Sequence, residues 1–267
     1  MAITSLDLAI AGECPVGMFS KAVTGTVVAG RPFSPFYLAG VPGAAVAPTP
    51  GLAGAALTSY AGQIPVPAAS GNTHLSYLQM TSSAQAGGAM LADRLWHNSG
   101  FTITVTTAQT VNSVAWPARD KNGATLGDGV YLGVEVSTAT GAGAPTITVS
   151  YTNSAGVAGR TATNSVATVA TSAAGTFYPI GLAAGDTGVR SVQTLTLSAT
   201  WTSGTIHLVA YRPIMPLGLS AAGIPAAINA VTGNLARLYD STVPFVIFTP
   251  QTTTTTQLSG CVKFTQG

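Results

Sequence analysis

The triplet Asp186-Thr187-Gly188 is the motif on which aspartic proteases build their catalytic carboxylate. That chemistry requires two carboxylates a few ångströms apart that share one proton. The 267 residues contain no second Asp-Thr-Gly, so a protease would need a second copy from a dimer partner. In those enzymes the triplet follows a buried apolar strand, whereas here it follows the loop-like sequence GLAAG. The pattern favours a turn residue at Asp186 over a catalytic acid.

The densest polar cluster, ARDKNGATLGDGVYLGVEV at 118–136, raises the possibility of a calcium loop. Such a loop places oxygen ligands at alternating positions and closes with a bidentate carboxylate. Asp120 and Asn122 fit the first two positions, but Gly123 interrupts the pattern, and Asp128 and Glu135 do not complete it. The sequence favours a hairpin with Asn122-Gly123 at its turn.

Other catalytic and metal-binding signatures are missing from the sequence. The histidines His74, His97 and His207 have no partner four residues away and no neighbouring cysteine, so zinc-ligand spacing is absent, and His207 fits a half-buried strand position. The sequence has no Gly-x-Ser-x-Gly elbow and no phosphate-binding loop, and its carboxylates show no glycosidase-like pairing. We therefore predict a non-enzymatic protein with no catalytic residue, no cofactor and no metal.

Composition indicates a protein that is covered by other protein. Charged residues make up 7% of the chain, against about 25% in an ordinary soluble domain, and hydrophobic residues make up 46%. A lone monomer of this kind lacks the charged surface that keeps proteins soluble. The most apolar stretch, 41–57, is interrupted by three prolines, so no membrane span is expected. We predict a homo-oligomer or a component of a larger assembly.

The charge, the N-terminal sequence and the cysteines predict the binding partners and the cellular compartment. The net charge is +2 and the basic residues are scattered singly, so direct nucleic-acid binding is not expected. The N-terminus has no basic start and no continuous apolar core, which argues against a secretion signal and for assembly in the cytoplasm of the cell that makes the protein. In that reducing compartment Cys14 and Cys261 should be free thiols.

Three regions follow along the chain. Residues 1–92 are rich in Ala, Gly and Pro yet apolar, which fits either an extended arm laid over a neighbouring subunit or a loop-rich layer of the same domain. As an arm, the segment would use Phe33, Phe36, Tyr37 and Leu38 as assembly contacts. Near its end, Met90, Leu91, Leu95 and Trp96 allow a short helix.

Residues 93–214 alternate apolar and polar positions with a period of two. In FTITVTT at 101–107, Phe101 and Ile103 fall on one face and threonines on the other, and seven similar runs follow, separated by turn clusters. This pattern predicts an antiparallel β-sandwich or jelly roll. Its aromatic residues, one or two to a strand, indicate core packing, with a sugar-binding platform as the alternative.

Residues 215–267 are expected to form a short helix followed by strands. GIPAAINAVTGNLARLYD at 223–240 spaces apolar residues by three or four, which is typical of an amphipathic helix. The last strand is expected to pair with the N-terminal part of the chain.

The stretch 93–214, through the phrases SYTNSAG, LAAGDTGVRSV and HLVAYR, resembles virion structural proteins of tailed bacteriophages. The resemblance implies a virion protein, most directly a decoration protein bound to the major capsid protein. Alternatives are a neck or tail adaptor that anchors fibres, and a host-glycan-binding module. Copy number per particle would separate the first two, and glycan binding would favour the third.

Overall fold

The computed structural model describes residues 3–22 and 27–267, and the chain is mainly antiparallel β, as the alternation predicts. One short helix, α1, covers Leu6–Ala11, and a 3-10 turn covers Pro35–Tyr37. The strands in chain order are β1 Gly17–Ala22, β2 Gly40–Val41, β3 Ala55–Ala56, β4 Thr73–Ser82, β5 Gly87–His97, β6 Gln109–Thr110, β7 Tyr131–Thr138, β8 Ile147–Asn153, β9 Arg160–Asn164, β10 Phe177–Gly181, β11 Val189–Leu197, β12 Thr205–Leu219, β13 Ala226–Asn229, β14 Arg237–Leu238, β15 Pro244–Pro250 and β16 Gln257–Gln266.

The chain divides into two compact units. The first comprises residues 1–45, 59–93 and 213–267, and the second comprises 46–58 and 94–212. The second unit contains residues 94–212 of the stretch for which the sequence predicts a sandwich, together with 46–58, which the sequence assigns to the N-terminal region.

The first unit is built on a six-stranded antiparallel sheet. Its strand order is β13-β4-β16-β1-β2, with β14 also paired to β4. The pairing of β16 with β1 brings the two ends of the chain together, as expected from the sequence. Inward residues such as Phe19, Leu78, Met80 and Phe264 are almost fully buried, and each such side chain contributes about 1.5–3 kcal/mol through burial.

The second unit is an antiparallel arrangement in which β7, β10, β9, β8, β11 and β6 pair in that order. Strand β8 shows why these sequences form strands: Ile147, Val149 and Tyr151 point into the core, and the residues between them are half-buried. Trp96 and Trp201 are fully buried in the same core. Most aromatic residues of this stretch are thus packing residues, as their distribution indicates, whereas Tyr131 is 37% exposed.

Several local predictions are wrong, and the first concerns FTITVTT. Phe101 and Ile103 are buried as the alternation requires, but residues 101–107 form no strand. The side chain of Gln109 takes the place of a neighbouring strand, because its Oε1 accepts from the backbone N of Thr102 and its Nε2 donates to the carbonyl of Thr102. Side-chain hydrogen bonds of this kind compete with a ladder and cannot be read from periodicity. The predicted strand VNSVAWPA at 111–118 likewise forms no strand.

The second wrong prediction is the helix around Met90–Trp96, which is strand β5. Nearly all of its residues are buried, including Asp93 and Arg94, so the sequence shows a run without alternation of apolar and polar residues. Such a run does not distinguish a buried strand from a buried helix.

The third is the C-terminal helix over 223–240, which is replaced by β13, a turn and β14. Asn229 Oδ1 accepts from the backbone N of Val231 and of Thr232, and Asn234 and Leu235 take positive φ. An Asn side chain that bonds two residues ahead favours a turn over a helix.

Candidate functional site

The outer face of the six-stranded sheet has two consecutive cross-strand rows without a charged side chain. Inward residues of the same strands form the core of the first unit, so these rows lie on the opposite side. The outer rows are Met18, Cys261 and Gln79, followed by Ser20, Ser259 and Thr81. Met18 is 61% exposed and the other five are half-buried. We call these six residues the outer face.

Helix α1 lies over the end of β16 and exposes apolar side chains. Thr265 Oγ1 donates to the carbonyl of Ala9 at 2.5 Å, and the Lys263 ammonium pairs with the Glu13 carboxylate. With Ala9 buried against the strand, Leu6 and Ile10 point to solvent, each 60% exposed. Clustered exposed apolar side chains mark contact surfaces more often than single ones do.

A cleft opens beside α1 at a β-bulge in β4. Residues Lys263 and Phe264 of β16 pair with Tyr77 and Leu75, which leaves Ser76 as the extra residue of β4. Ser76 is buried, and its Oγ has no hydrogen-bond partner among the described residues. The open cleft has a volume of about 430 Å³, and its lining residues are Leu6, Glu13, Ser76, Tyr77, Asn229, Ala230, Val231 and Lys263. We call it the Ser76 cleft.

More than a third of the charged residues are buried and so do not contribute to the surface. Of the ten basic and eight acidic residues, seven are buried. These are Lys21, Asp93, Arg94, Arg119, Asp120, Glu135 and Arg212. The surface is therefore even poorer in charge than the composition indicates, which strengthens the expectation that it is covered.

Asp186 is a structural residue of the second unit. Its carboxylate accepts hydrogen bonds from Tyr151 Oη at 2.5 Å, from Asn153 Nδ2 at 2.7 Å and from Arg160 Nε at 3.0 Å. The bonds from Tyr151 and Asn153, followed by the Arg160 bond and charge, lower the pKa of Asp186 to about 2. The carboxylate stays ionised and links the loop at 182–188 to β8 and β9, so it does more than turn the chain.

The Asp120 cluster is a loop that its own side chains stabilise. Asp120 Oδ1 accepts from the backbone N of Asn122 at 2.8 Å and of Ala124 at 2.9 Å, and Gly123 has a positive φ of 76°. Lys121 pairs with Asp128 at 2.8 Å. A turn forms here, in which the backbone N of Gly123 donates to the carbonyl of Asp120 at 3.0 Å, but no strands flank it directly, so the predicted hairpin is wrong. Within residues 3–22 and 27–267, no group of three His, Cys, Asp or Glu side chains could hold a metal ion.

Two histidines form part of a buried polar cluster in the second unit. Arg94 Nη1 pairs with Glu135 Oε2 at 2.7 Å, and Arg94 Nε donates to His97 Nδ1 at 3.3 Å. His207 contacts the Ser137 hydroxyl through Nε2 at 2.6 Å and the Asn98 carbonyl through Nδ1 at 2.9 Å. His207 is thus fully buried, not half-buried as its strand position suggests.

The predicted arm contacts lie against the chain itself. Phe33 exchanges two backbone hydrogen bonds of 2.8 Å with Phe248 of β15. Phe36 packs on the rings of Tyr60 and Phe245, with centroids 6.0 and 5.9 Å apart. Phe33 and Phe36 are buried, which corrects their role from assembly contacts to internal packing of a loop-rich layer.

Tyr37 and Leu38 are half-buried, and their contact with another subunit stays a prediction. The exposed part of the predicted arm follows them, at residues 39–50, where only Pro42, Ala45 and Pro48 are not exposed.

The two cysteines are free thiols, as expected, and both are half-buried. Cys261 belongs to the outer face, whereas Cys14 follows α1. None of the helices in the described part of the chain has the length and apolar character that a membrane span requires.

Comparison with known proteins gives little guidance. No protein-family model matches the chain, and no curated protein matches it. Among solved structures, the chain is similar to the infectious bursal disease virus Gt strain, at 11% identity and a TM-score of 0.21, covering 95% of this chain and 82% of that chain. It is also similar to the infectious bursal disease virus VP2 subviral particle, at 9% identity and a TM-score of 0.19, covering 96% and 82%. TM-scores this low carry no argument, so the proposal below rests on the residues.

Proposed function

We propose that this chain is a non-enzymatic structural component of a bacteriophage particle, and specifically a decoration protein bound to the major capsid protein. The observation that carries the proposal is the uncharged outer face of the first unit beside the exposed apolar residues of α1. Exposed apolar residues grouped beside a surface without charge are typical of a surface that other protein covers. The resemblance of residues 93–214 to virion proteins of tailed bacteriophages supports a phage particle as the assembly that covers it.

In the proposed mechanism the protein stabilises the capsid shell by binding to it, without any chemical reaction. A protein that binds the assembled shell and not its separate subunits stabilises the shell by mass action, by about 2.7 kcal/mol per site at a free concentration one hundred times Kd. The outer face and α1 would bury area at junctions between capsid subunits, and a specific interface of this type buries about 1,200–2,000 Å² in total.

The absence of an enzymatic role is part of the proposal. The one motif with catalytic precedent, at Asp186, has its carboxylate occupied by Tyr151, Asn153 and Arg160. A carboxylate held ionised by three donors is a poor acid–base catalyst near neutral pH, because its pKa lies far from the working pH.

Gel quantitation of purified particles tests the proposal. A decoration protein is expected in hundreds of copies, in fixed ratio to the major capsid protein. A few to a few tens of copies would assign the chain to the neck or tail instead. Complete absence from particles, or specific glycan binding by the purified protein as its main activity, would contradict the virion structural role.

A further inference from the structure

The Ser76 cleft has the chemistry of a site for an uncharged, partly apolar segment. Its only charged groups, Lys263 and Glu13, pair with each other, so the cleft carries no net charge. Val231, 79% exposed, and Leu6 form apolar walls. Ser76 lines the cleft, and its hydroxyl is buried and lacks a partner among the described residues, so an unsatisfied donor lies at the wall of the cleft.

The cleft continues into an apolar hollow. This second hollow, of about 260 Å³, shares Leu6, Ala230 and Val231 with the cleft and is also lined by Ile3, Thr4, Ser5, Ala9 and Leu235. Together they offer a polar half that can hydrogen-bond a peptide backbone and an apolar half that can hold an aliphatic side chain. Recognition of extended peptides uses this combination of backbone bonds and side-chain pockets.

The same chain exposes a segment with matching chemistry at residues 41–50, VPGAAVAPTP. Beyond the first residue it has no helix or strand, and the side chains of Val41 and Val46 are 59% and 64% exposed. The three prolines fix φ at their own positions and remove three amide donors, so the segment presents more carbonyl acceptors than donors. A segment whose backbone is already restricted loses less entropy on binding.

We propose that the Ser76 cleft of one copy binds residues 41–50 of a second copy. None of these residues lines the cleft of its own chain, so the segment comes from a neighbour. Neither the segment nor the cleft has net charge, so no charge is left unpaired on contact. Carbonyls of the segment accept from Ser76, and a valine enters the apolar hollow.

Because the donor segment and the acceptor cleft are different surfaces, the contact is head-to-tail. Contacts of this type close into rings or continue as filaments, both of which suit a particle component. The inference rests on the proposed structural role, but its test uses the isolated protein, so its failure would leave the copy-number measurement unaffected.

Two exposed-residue variants test the contact by complementation. Val231→Asp disables the cleft but keeps the segment, and Val46→Asp disables the segment but keeps the cleft. We expect each variant alone to be monomeric by analytical ultracentrifugation, whereas an equimolar mixture forms a dimer and nothing larger. Val157→Asp, at another exposed valine, is the matched control and should associate like the wild type. Wild-type association in both variants, or a mixture that stays monomeric, would overturn the proposal.

A peptide titration tests the chemistry of the cleft directly. An acetylated and amidated peptide of residues 41–50, added to the Val46→Asp protein, should shift the NMR signals of residues that line the cleft. Ser76→Ala in the same background should weaken binding by about five-fold, the worth of one hydrogen bond. A peptide with aspartate in place of both valines should not bind. Failure of the native peptide to bind, or displacement of it by a neutral oligosaccharide such as maltotriose, would contradict the assignment.

Discussion

Arg94 Nε donates a hydrogen bond to Nδ1 of His97 at 3.3 Å, so that ring nitrogen must be unprotonated. Burial, followed by the positive charge of Arg94 and the neighbouring His207, lowers the pKa of His97 to about 2. Protonation would place an N–H group of the ring against the N–H group of the guanidinium. His97 is therefore a neutral acceptor within the folded second unit.

This geometry predicts acid sensitivity. Below pH 6.5 an unfolded chain protonates His97 but the folded chain does not, so stability is lost as the pH falls from 6.5, by up to about 1.4 kcal/mol per pH unit. Burial lowers the pKa of His207 as well, which adds to the effect in the same direction. Urea unfolding between pH 7 and 4.5 should show this slope.

His97→Gln should reduce that slope, and His74→Gln, at a half-buried histidine of the first unit, should reduce it less. Asp186 has little effect on the slope in this pH range. Its lowered pKa contributes stability that is lost mainly as the pH falls below about 3.8. An unchanged slope in His97→Gln would show that other groups govern acid unfolding.

Asp186→Asn is expected to lower the melting temperature without affecting any hydrolytic activity. The amide cannot replace the carboxylate as the acceptor of all three bonds from Tyr151, Asn153 and Arg160. Asp128→Asn is the matched control, since Asp128 pairs with the largely exposed Lys121 and should cost less. Equal melting temperatures for the two variants would contradict the structural role of Asp186.

Gly133→Ala should destabilise the second unit by about 1–3 kcal/mol. A Cβ at Gly133 would overlap the ring of Phe177, which is fully buried on the paired strand β10. At Gly181 of β10 a Cβ makes only ordinary contacts, so Gly181→Ala serves as the control and should be close to neutral. Denaturant unfolding of the two variants gives the comparison.

Limited proteolysis should cut the monomeric Val231→Asp protein within residues 39–50 and spare 32–38. The earlier residues are held by the Phe33–Phe248 bridge and by the Phe36 ring contacts, whereas much of 39–50 is exposed. Lys21 Nζ donates to the carbonyls of Leu38 and Gly43, which restricts cleavage around those two residues. Mass spectrometry of elastase fragments maps the cuts, and early cleavage at 32–38 would show that this layer is not packed.

The sequence by itself determined the β class, most strands of the second unit and the shortage of charge. Strand β8 was predictable because its apolar residues alternate with polar ones, and this alternation is visible in the sequence when one face of a strand is buried. The sequence also favoured a turn residue over a catalytic acid at Asp186, because the Asp-Thr-Gly triplet has neither a second copy nor a preceding apolar strand. The sequence analysis expected the last strand to pair with the N-terminal part only because of its position at the end of the chain, without a residue pattern that indicates the pairing.

Only the tertiary structure decided which of several compatible local conformations was adopted. The run at 223–240 has helical spacing, but pairing with β4 and the Asn229 turn made it two short strands. The buried strand β5 showed no alternation because nearly all of its residues are buried. The Ser76 cleft had no sequence signal, because a bulge is defined by register against a partner strand nearly two hundred residues away. Contacts of such long range are set by packing, which composition and periodicity do not encode.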